Sequence, residues 1–347
     1  MGFDTKLRIS VITNSLSGGG AERAINTLVN SLETSKYEIT LVPVNVGRAD
    51  KIHPSCRVIE LNRPQDGGIF SLVKGAIRLQ KHFLHFRPKY VVLNCSLPEL
   101  LGAITFGRHR IIVVEHSSMP WFGRKNLGRI VRYILKIRKS LWIVVSKDLG
   151  VWSSRSIKPL LIPNAIDFQS SAPGTQKRLP RDGSRKQRLV FIGRLSAEKQ
   201  PMLFLQIAQL TGYSSIVIGD GPLKYEMERF VELKSLDCQF VGHVTDPWVM
   251  TDENDLLLVT SKTEGDGLVV AEAILRNFPM LVNDISDLQR FNLPRDFYCS
   301  DIQDFRRSIS EYMKGNLLLS LTDTFIQNLA DSRDPRLIAG IWEGVLK

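Results

Sequence analysis

Residues 255–277 read DLLLVTSKTEGDGLVVAEAILRN. The apolar run Leu256 to Val259 ends in Thr260 and Ser261, the chain turns through Glu264-Gly265-Asp266-Gly267, and Leu268, Ala271, Ile274 and Leu275 then recur at helical spacing. This pattern predicts a buried strand, a glycine turn and a helix. In an open α/β sheet, ligands sit outside the carboxyl ends of the strands, and the start of the following helix offers unpaired N–H groups to an anion. Glu264 is expected in that crevice. Glu272, eight positions on, falls about two turns into the helix on roughly the same side. Two carboxylates beside a dipole-positive helix start can accept hydrogen bonds from sugar or ribose hydroxyls while the backbone holds phosphate. Taken alone, the same spacing also fits two solvated glutamates on a helix face.

The chain has 347 residues, enough for two domains, and an ordinary globular composition with 43% hydrophobic and 23% charged residues. It contains no run of eighteen apolar residues, and the opening MGFDTKLRISVIT leads directly into a strand pattern. The expectation is a cytoplasmic protein with no spanning helix and no export signal. Met-Gly begins the chain, but Lys6 stands where a myristoylation motif needs Ser or Thr. Cys56, Cys95, Cys238 and Cys299 are too far apart for a CxxC pair or a zinc set, and read as reduced, buried residues. His82 and His85 share a helical spacing without companion ligands, so no metal is expected. Charge is uneven: residues 1–170 hold 25 Lys and Arg against 11 Asp and Glu, a balance of +14, and the remainder stands at −3. A basic half suits nucleic acid, an anionic membrane or a phosphorylated ligand.

Strand patterns at Lys6–Thr13, Glu38–Val44, Tyr90–Asn94, Arg110–His116 and Leu141–Ser146 alternate with helical stretches, which implies βαβ units and a mostly parallel sheet. The turn Asn14–Gly20 feeds a helix at Ala21–Leu32 and could hold a phosphate. It lacks the third glycine of the dinucleotide fingerprint, where Arg23 stands, and the Gly-Lys-Ser/Thr of a P-loop. His116 ends its strand, where it could serve a ligand or simply cap the strand. In WFGRKNLGRIVRYILKIRK (Trp121–Lys139), Lys125, Arg129, Arg132, Lys136 and Lys139 fall on one helical face, and Leu127, Ile130, Val131, Ile134 and Leu135 form another. Such a helix could rest on an anionic bilayer or grip a diphosphate, each cation contributing about 1 kcal/mol near the surface. A solvated helix packed on the sheet fits it too. Nucleic acid does not, since no aromatic platform or binding motif accompanies the charge. The stretch 170–188 is polar, basic and rich in Pro and Gly, and reads as a linker. A second βα alternation follows from Leu189, and a final helix near Arg336–Leu346 carries Leu337, Ile341, Trp342 and Val345 on one side.

Gly18-Gly19-Gly20-Ala21-Glu22-Arg23, Glu115-His116-Ser117, Val145-Ser146-Lys147, Ile162–Asp167, Phe191–Arg194 with Lys199, Gly219-Asp220-Gly221-Pro222 and Glu264 through Glu272 occur in one order. In these motifs the chain resembles the glycosyltransferase family 4 group, over roughly 270 residues. The resemblance implies an α/β fold of two Rossmann-like domains facing across a cleft, termed GT-B. The expected limits are 1–168 for the acceptor domain, 169–188 for the linker and 189–335 for the nucleotide-sugar domain. The helix at 336–347 is expected to pack back on the first domain.

The activity implied is a retaining hexosyltransferase that moves a sugar from a nucleoside-diphosphate donor, with UDP-sugars favoured, to a lipid-linked or other glycan acceptor in polysaccharide synthesis. No cofactor, divalent metal or nucleic acid is expected, and a peripheral position on the cytoplasmic face of an anionic membrane is. The catalytic set implied is Glu264, Arg194, Lys199 and His116. Arg194 and Lys199 meet the donor diphosphate, whose leaving oxygen gains negative charge. Donor contacts are further implied for the Gly18–Gly20 amides, Gly193, Gly219, His243, Gly265, Asp266, Gly267, Leu268 and, at the ribose, Glu272. Asp266 departs from the family, which commonly has an apolar or aromatic residue there. Two other readings share the architecture: a sugar-nucleotide 2-epimerase, expected to lack the Arg194/Lys199 pair, and a non-catalytic anion-binding scaffold in a glycan assembly complex.

Overall fold

The computed structural model describes residues 6–16, 19–46, 56–64, 67–117, 120–121, 123–147, 149, 157–167, 187–252 and 254–347. Chain contacts divide it into two units, 1–166 with 333–347, and 167–332. Of the expected linker, only residues 187 and 188 are among those described.

The first unit runs β1 (Leu7–Thr13), α1 (Gly20–Ser31), β2 (Tyr37–Pro43), β3 (Arg57–Val58), α2 (Ile69–Phe86), β4 (Tyr90–Asn94), α3 (Ser96–Ile104), β5 (Arg110–Glu115), α4 (Lys125–Ile137), β6 (Leu141–Val144) and β7 (Leu160–Leu161). Its strands pair in parallel in the order β3-β2-β1-β4-β5-β6-β7. The strands are apolar on both sides because helices cover both faces of the sheet. Leu79, Phe83, Leu101, Val131 and Leu135 of α2, α3 and α4 seal one face. Ile25, Leu28 and Val29 of α1 seal the other.

The second unit runs β8 (Leu189–Ile192), α5 (Pro201–Thr211), β9 (Ser215–Ile218), α6 (Lys224–Lys234), β10 (Cys238–Gly242), β11 (Leu256–Val259), α7 (Leu268–Leu275), β12 (Met280–Asn283), α8 (Ser286–Gln289), β13 (Tyr298–Cys299), α9 (Ile302–Met313) and α10 (Asp323–Ser332). Its order, β10-β9-β8-β11-β12-β13, is the same winding again. In each sheet the order reverses between two strands, β1 and β4 in the first and β8 and β11 in the second. Ligands of such sheets bind at that reversal. The expected pair of Rossmann-like α/β folds is therefore what the chain forms.

The final helix, α11 (Pro335–Val345), belongs to the first unit, where it lies against α1. It packs through Ile338, Ala339 and Trp342, and its side with Leu337 and Ile341 is exposed, a rotation from the face expected. The return of the chain is held by Arg333, which donates to the Asn164 carbonyl at 3.0 Å, and by the Ile166 N–H, which donates to the Arg333 carbonyl at 3.0 Å. The cysteines are free, but only Cys299 is buried; Cys56, Cys95 and Cys238 are half-buried.

Candidate functional site

In the second unit the reversal between β8 and β11 brings two sequence signals into contact. After β8 the chain makes a short 3-10 helix, Ala197–Lys199, which Gln200 closes in a left-handed conformation (φ 46) before Pro201 opens α5. The Thr260 hydroxyl, just past β11, lies 3.1 Å from the carbonyls of both Lys199 and Gln200 and clamps this turn to the strand end. Lys199 Nζ consequently reaches Glu264 Oε1 at 2.6 Å. The same oxygen accepts from Ser261 Oγ at 2.7 Å, and the Glu264 N–H donates to Asp287 Oδ2 at 2.8 Å. Glu264 is buried, while the Lys199 side chain keeps 27% of its surface exposed. An ammonium so placed can meet an incoming anion without a large movement, and the carboxylate it releases can accept from a hydroxyl.

The glycines beside this pair are steric requirements. A Cβ on Gly219 would lie 1.9 Å from the Gly193 carbonyl oxygen, so only glycine lets the two strand-end turns touch. Gly267 caps α7 at φ 64, and a Cβ there would meet the Phe291 ring at 2.9 Å. Gly265 and Leu268 are half-buried on either side of the buried Asp266. Arg194 is exposed on the turn after Gly193, and His243 is exposed directly after β10.

Glu272 lies within α7 as its spacing required, buried, with Oε2 accepting from the Trp248 indole N–H at 2.8 Å. The Arg276 guanidinium covers the other side of that indole, 4.8 Å from the ring centroid. Sequence reading missed Trp248. It sits in a short 3-10 helix capped by Asp246, and nothing linear ties it to a glutamate 24 residues later.

In the first unit Gly19 and Gly20 open α1, and Gly18 lies outside the described residues. The Gly19 N–H donates to Glu22 Oε2 at 3.2 Å, so a carboxylate already occupies part of the place expected for phosphate. His116 follows β5, half-buried, with Nε2 at 2.6 Å from Asn94 Oδ1. Burial lowers its pKa to about 4.

Arg132 requires a correction. It is not on the exposed basic face: its side chain is 3% exposed, donates two hydrogen bonds to Glu99, at 2.9 and 2.7 Å, and forms an ion pair with Glu115 at 2.6 Å. The Trp121 indole also donates to Glu99, at 3.0 Å, and the Trp142 ring lies 5.2 Å from the guanidinium. Burial opposes the charge, but the two carboxylates outweigh it and raise the pKa. The cause is the roll of α4, which turns Gly128, Val131, Arg132 and Leu135 inward, against α3. A Cβ on Gly128 would collide with the Trp121 ring, which packs at that point. Lys125, Arg129 and Lys136 are exposed together with Leu127, Ile130, Tyr133 and Ile137, so the apolar face expected to pack is partly outward. Lys139 lies beyond the helix, in a left-handed conformation (φ 55).

Residues 176–328 match the family of glycosyl transferases group 1. The match spans the second sheet and its Lys199–Glu264 pair. With the relatives that follow, the match supports a family 4-like glycosyltransferase. This glycosyltransferase, an enzyme of the hexosyltransferase kind, is 25% identical over 287 residues to a Campylobacter jejuni protein, with 77% of each chain covered. That protein is named GalNAc-alpha-(1->4)-GalNAc-alpha-(1->3)-diNAcBac-PP-undecaprenol alpha-1,4-N-acetyl-D-galactosaminyltransferase. A second from the same organism, N-acetylgalactosamine-N,N'-diacetylbacillosaminyl-diphospho-undecaprenol 4-alpha-N-acetylgalactosaminyltransferase, is 24% identical, with 80% of each covered. Among solved structures, Anabaena Alr3699/HepE in complex with UDP and glucose superposes with a TM-score of 0.79 at 14% identity, covering 98% of this chain and 99% of that one. At that identity the likeness is one of fold, GT-B.

Proposed function

We propose that this glycosyltransferase transfers a sugar, with retention, from a UDP-sugar to a glycan acceptor carried on a lipid diphosphate. The observation that carries the reading is the 2.6 Å pair of Lys199 and Glu264 at the strand reversal of the second sheet. Transfer breaks the bond between the anomeric carbon and the β-phosphate oxygen, and the departing diphosphate keeps the electron pair. The anomeric carbon bonds to the acceptor oxygen, whose proton passes to the departing phosphate. Lys199, with Arg194, neutralises charge that grows on the leaving group, an interaction strongest in the transition state. Once Lys199 turns to phosphate, Glu264 is released to accept from a sugar hydroxyl, and Glu272, oriented by Trp248, receives the ribose hydroxyls. No divalent metal is assigned a part.

The lipid-linked acceptor is favoured by the names of the Campylobacter relatives and by the outer surface of the first unit. Neither α2 nor α4 contains an acidic residue. Both expose large apolar side chains among Lys and Arg, Phe70 at 82% and Ile130 at 59% being examples. That mixture suits peripheral binding to an anionic bilayer. No helix among the described residues is long and apolar enough to cross one.

The test is incubation with labelled nucleotide sugars and an undecaprenyl-diphosphate glycan in anionic liposomes. Label is expected in the lipid fraction with equimolar release of UDP, and product NMR should give the donor's anomeric configuration. Absence of nucleoside diphosphate release from any nucleotide sugar would overturn the enzyme reading in favour of a scaffold.

A further inference from the structure

The turn that carries Glu264 is tied down residue by residue, and every residue of the arrangement belongs to the second unit. The Lys262 N–H donates to the Glu198 carbonyl at 2.8 Å, and the Asn283 side-chain amide donates to the Ser261 carbonyl at 3.1 Å. Thr263 and Glu264 then share one acceptor: the Thr263 hydroxyl and the Glu264 N–H each donate at 2.8 Å to Asp287 Oδ2, in α8. α8 is a firm anchor for them. Its Leu288 is fully buried, and the Phe291 ring just beyond it closes on Gly267, where a Cβ would come within 2.9 Å. At the tip of the Glu264 side chain, Oε1 accepts from both the Lys199 ammonium at 2.6 Å and the Ser261 hydroxyl at 2.7 Å.

The departure of Lys199 to an anion removes one of those two bonds. Gly265 and Gly267 follow Glu264, and glycine restricts the backbone least of all residues. Ser261 alone would then hold the end of a side chain whose root is free to swing. The bond from the Glu264 N–H to Asp287 fixes that root. We propose that Asp287 is a positioning residue for sugar transfer: it holds the backbone at Glu264 so that this carboxylate keeps its place when Lys199 exchanges it for phosphate. The consequence for turnover rests on the glycosyl-transfer reading. The tie itself does not.

Exchange of the Glu264 amide proton, followed in protein labelled with 15N-glutamate and assigned by loss of its signal in Glu264→Gln, reads the tie without any substrate. Slow exchange is expected in the wild type and in Lys199→Met. Asp287→Ala should speed it by about tenfold or more, and Asp287→Asn, whose amide oxygen can accept both bonds, should restore it. Exchange that Asp287→Ala leaves unchanged, or that is already fast in Lys199→Met, overturns the proposal. In the transfer assay Asp287→Ala should lower kcat by about tenfold to a hundredfold, as expected when a reacting geometry is displaced by about 1 Å, with the Kd for UDP changed less than about twofold. Asp287→Asn should recover most of the rate. Made on top of Glu264→Gln, Asp287→Ala should have little further effect, because the two residues act as a unit. A full, multiplicative loss in that background would mean that Asp287 merely supports the fold, and would overturn its role. Absence of nucleoside diphosphate release in the wild type would instead fault the functional reading, and amide exchange would then decide the tie by itself.

Discussion

Two cation–carboxylate clusters, one in each unit, use the same side-chain chemistry and differ in their access to water. In the first unit Arg132 is enclosed by Glu99, Glu115, Trp121 and Trp142, and both carboxylates are buried with it. In the second, Lys199 meets one buried carboxylate from a side chain left more than a quarter exposed. A guanidinium bonded on three sides without solvent has no route to an incoming anion. An ammonium with one partner and an open side can exchange that partner for phosphate. The first cluster therefore locks α4 to α3 and the end of β5, and the second is built to be interrupted.

The comparison breaks most readily at Arg132. Arg132→Met strands two buried carboxylates and should cost about 3–5 kcal/mol of stability in urea unfolding. Adding Glu99→Gln and Glu115→Gln should recover much of the loss, whereas an unchanged unfolding midpoint in the single variant would mean that the cluster does not hold the fold.

Lys199→Met should show the opposite profile, with stability lowered by less than about 1 kcal/mol and turnover falling roughly a hundredfold or more. Arg194→Ala should match it in turnover. Near-normal rates in both would remove the diphosphate assignment. Within the same site, Glu264→Gln should chiefly lower kcat and Glu272→Gln chiefly weaken UDP binding, and equal effects on both quantities would erase that division.

Acid should separate the two units next. His82, His109 and His116, all in the first unit, have pKa values lowered by burial to about 4 from an ordinary 6.5, with Arg57 and Arg138 adding to the effect at His82 and His109. Between those pH values the unfolded rings bind protons that the folded rings refuse. Their contribution is thus constant above pH 6.5 and turns against the fold as pH falls toward 4. Urea midpoints followed through Trp121 and Trp142 should drop between pH 7 and pH 5 more than those followed through Trp248. Equal drops would place the sensitivity elsewhere.

The smallest expected change concerns the exposed side of α4. Reversing Lys125 and Arg129 to Glu should abolish flotation with anionic liposomes and raise the KM for a lipid acceptor, while donor hydrolysis barely changes. Added salt should mimic the reversal, since exposed charges are screened beyond about 8 Å at physiological ionic strength. Binding insensitive to both treatments would leave α4 as an ordinary solvated helix.

Much of the molecule could be read from local pattern. Apolar runs closed by glycine turns set out the parallel sheets, because a strand covered on both faces has no polar alternation to obscure it. Glu264 and Glu272 stood out because strand ends and helix starts are local events, and their spacing is independent of what packs nearby, whereas Arg194 and Lys199 were marked only by the family resemblance. Tertiary structure alone decided the rest. Periodicity shows which residues share a helical face but not which face turns inward. Hence Arg132 counted as a surface cation until the roll of α4 put it between Glu99 and Glu115, and hence the inward side of α11 fell on Ile338 rather than Leu337. The Trp248–Glu272 and Asn94–His116 bonds join residues 24 and 22 positions apart. Such pairings are set by strand order and by the burial of polar atoms that must find a partner, and one-dimensional spacing carries neither.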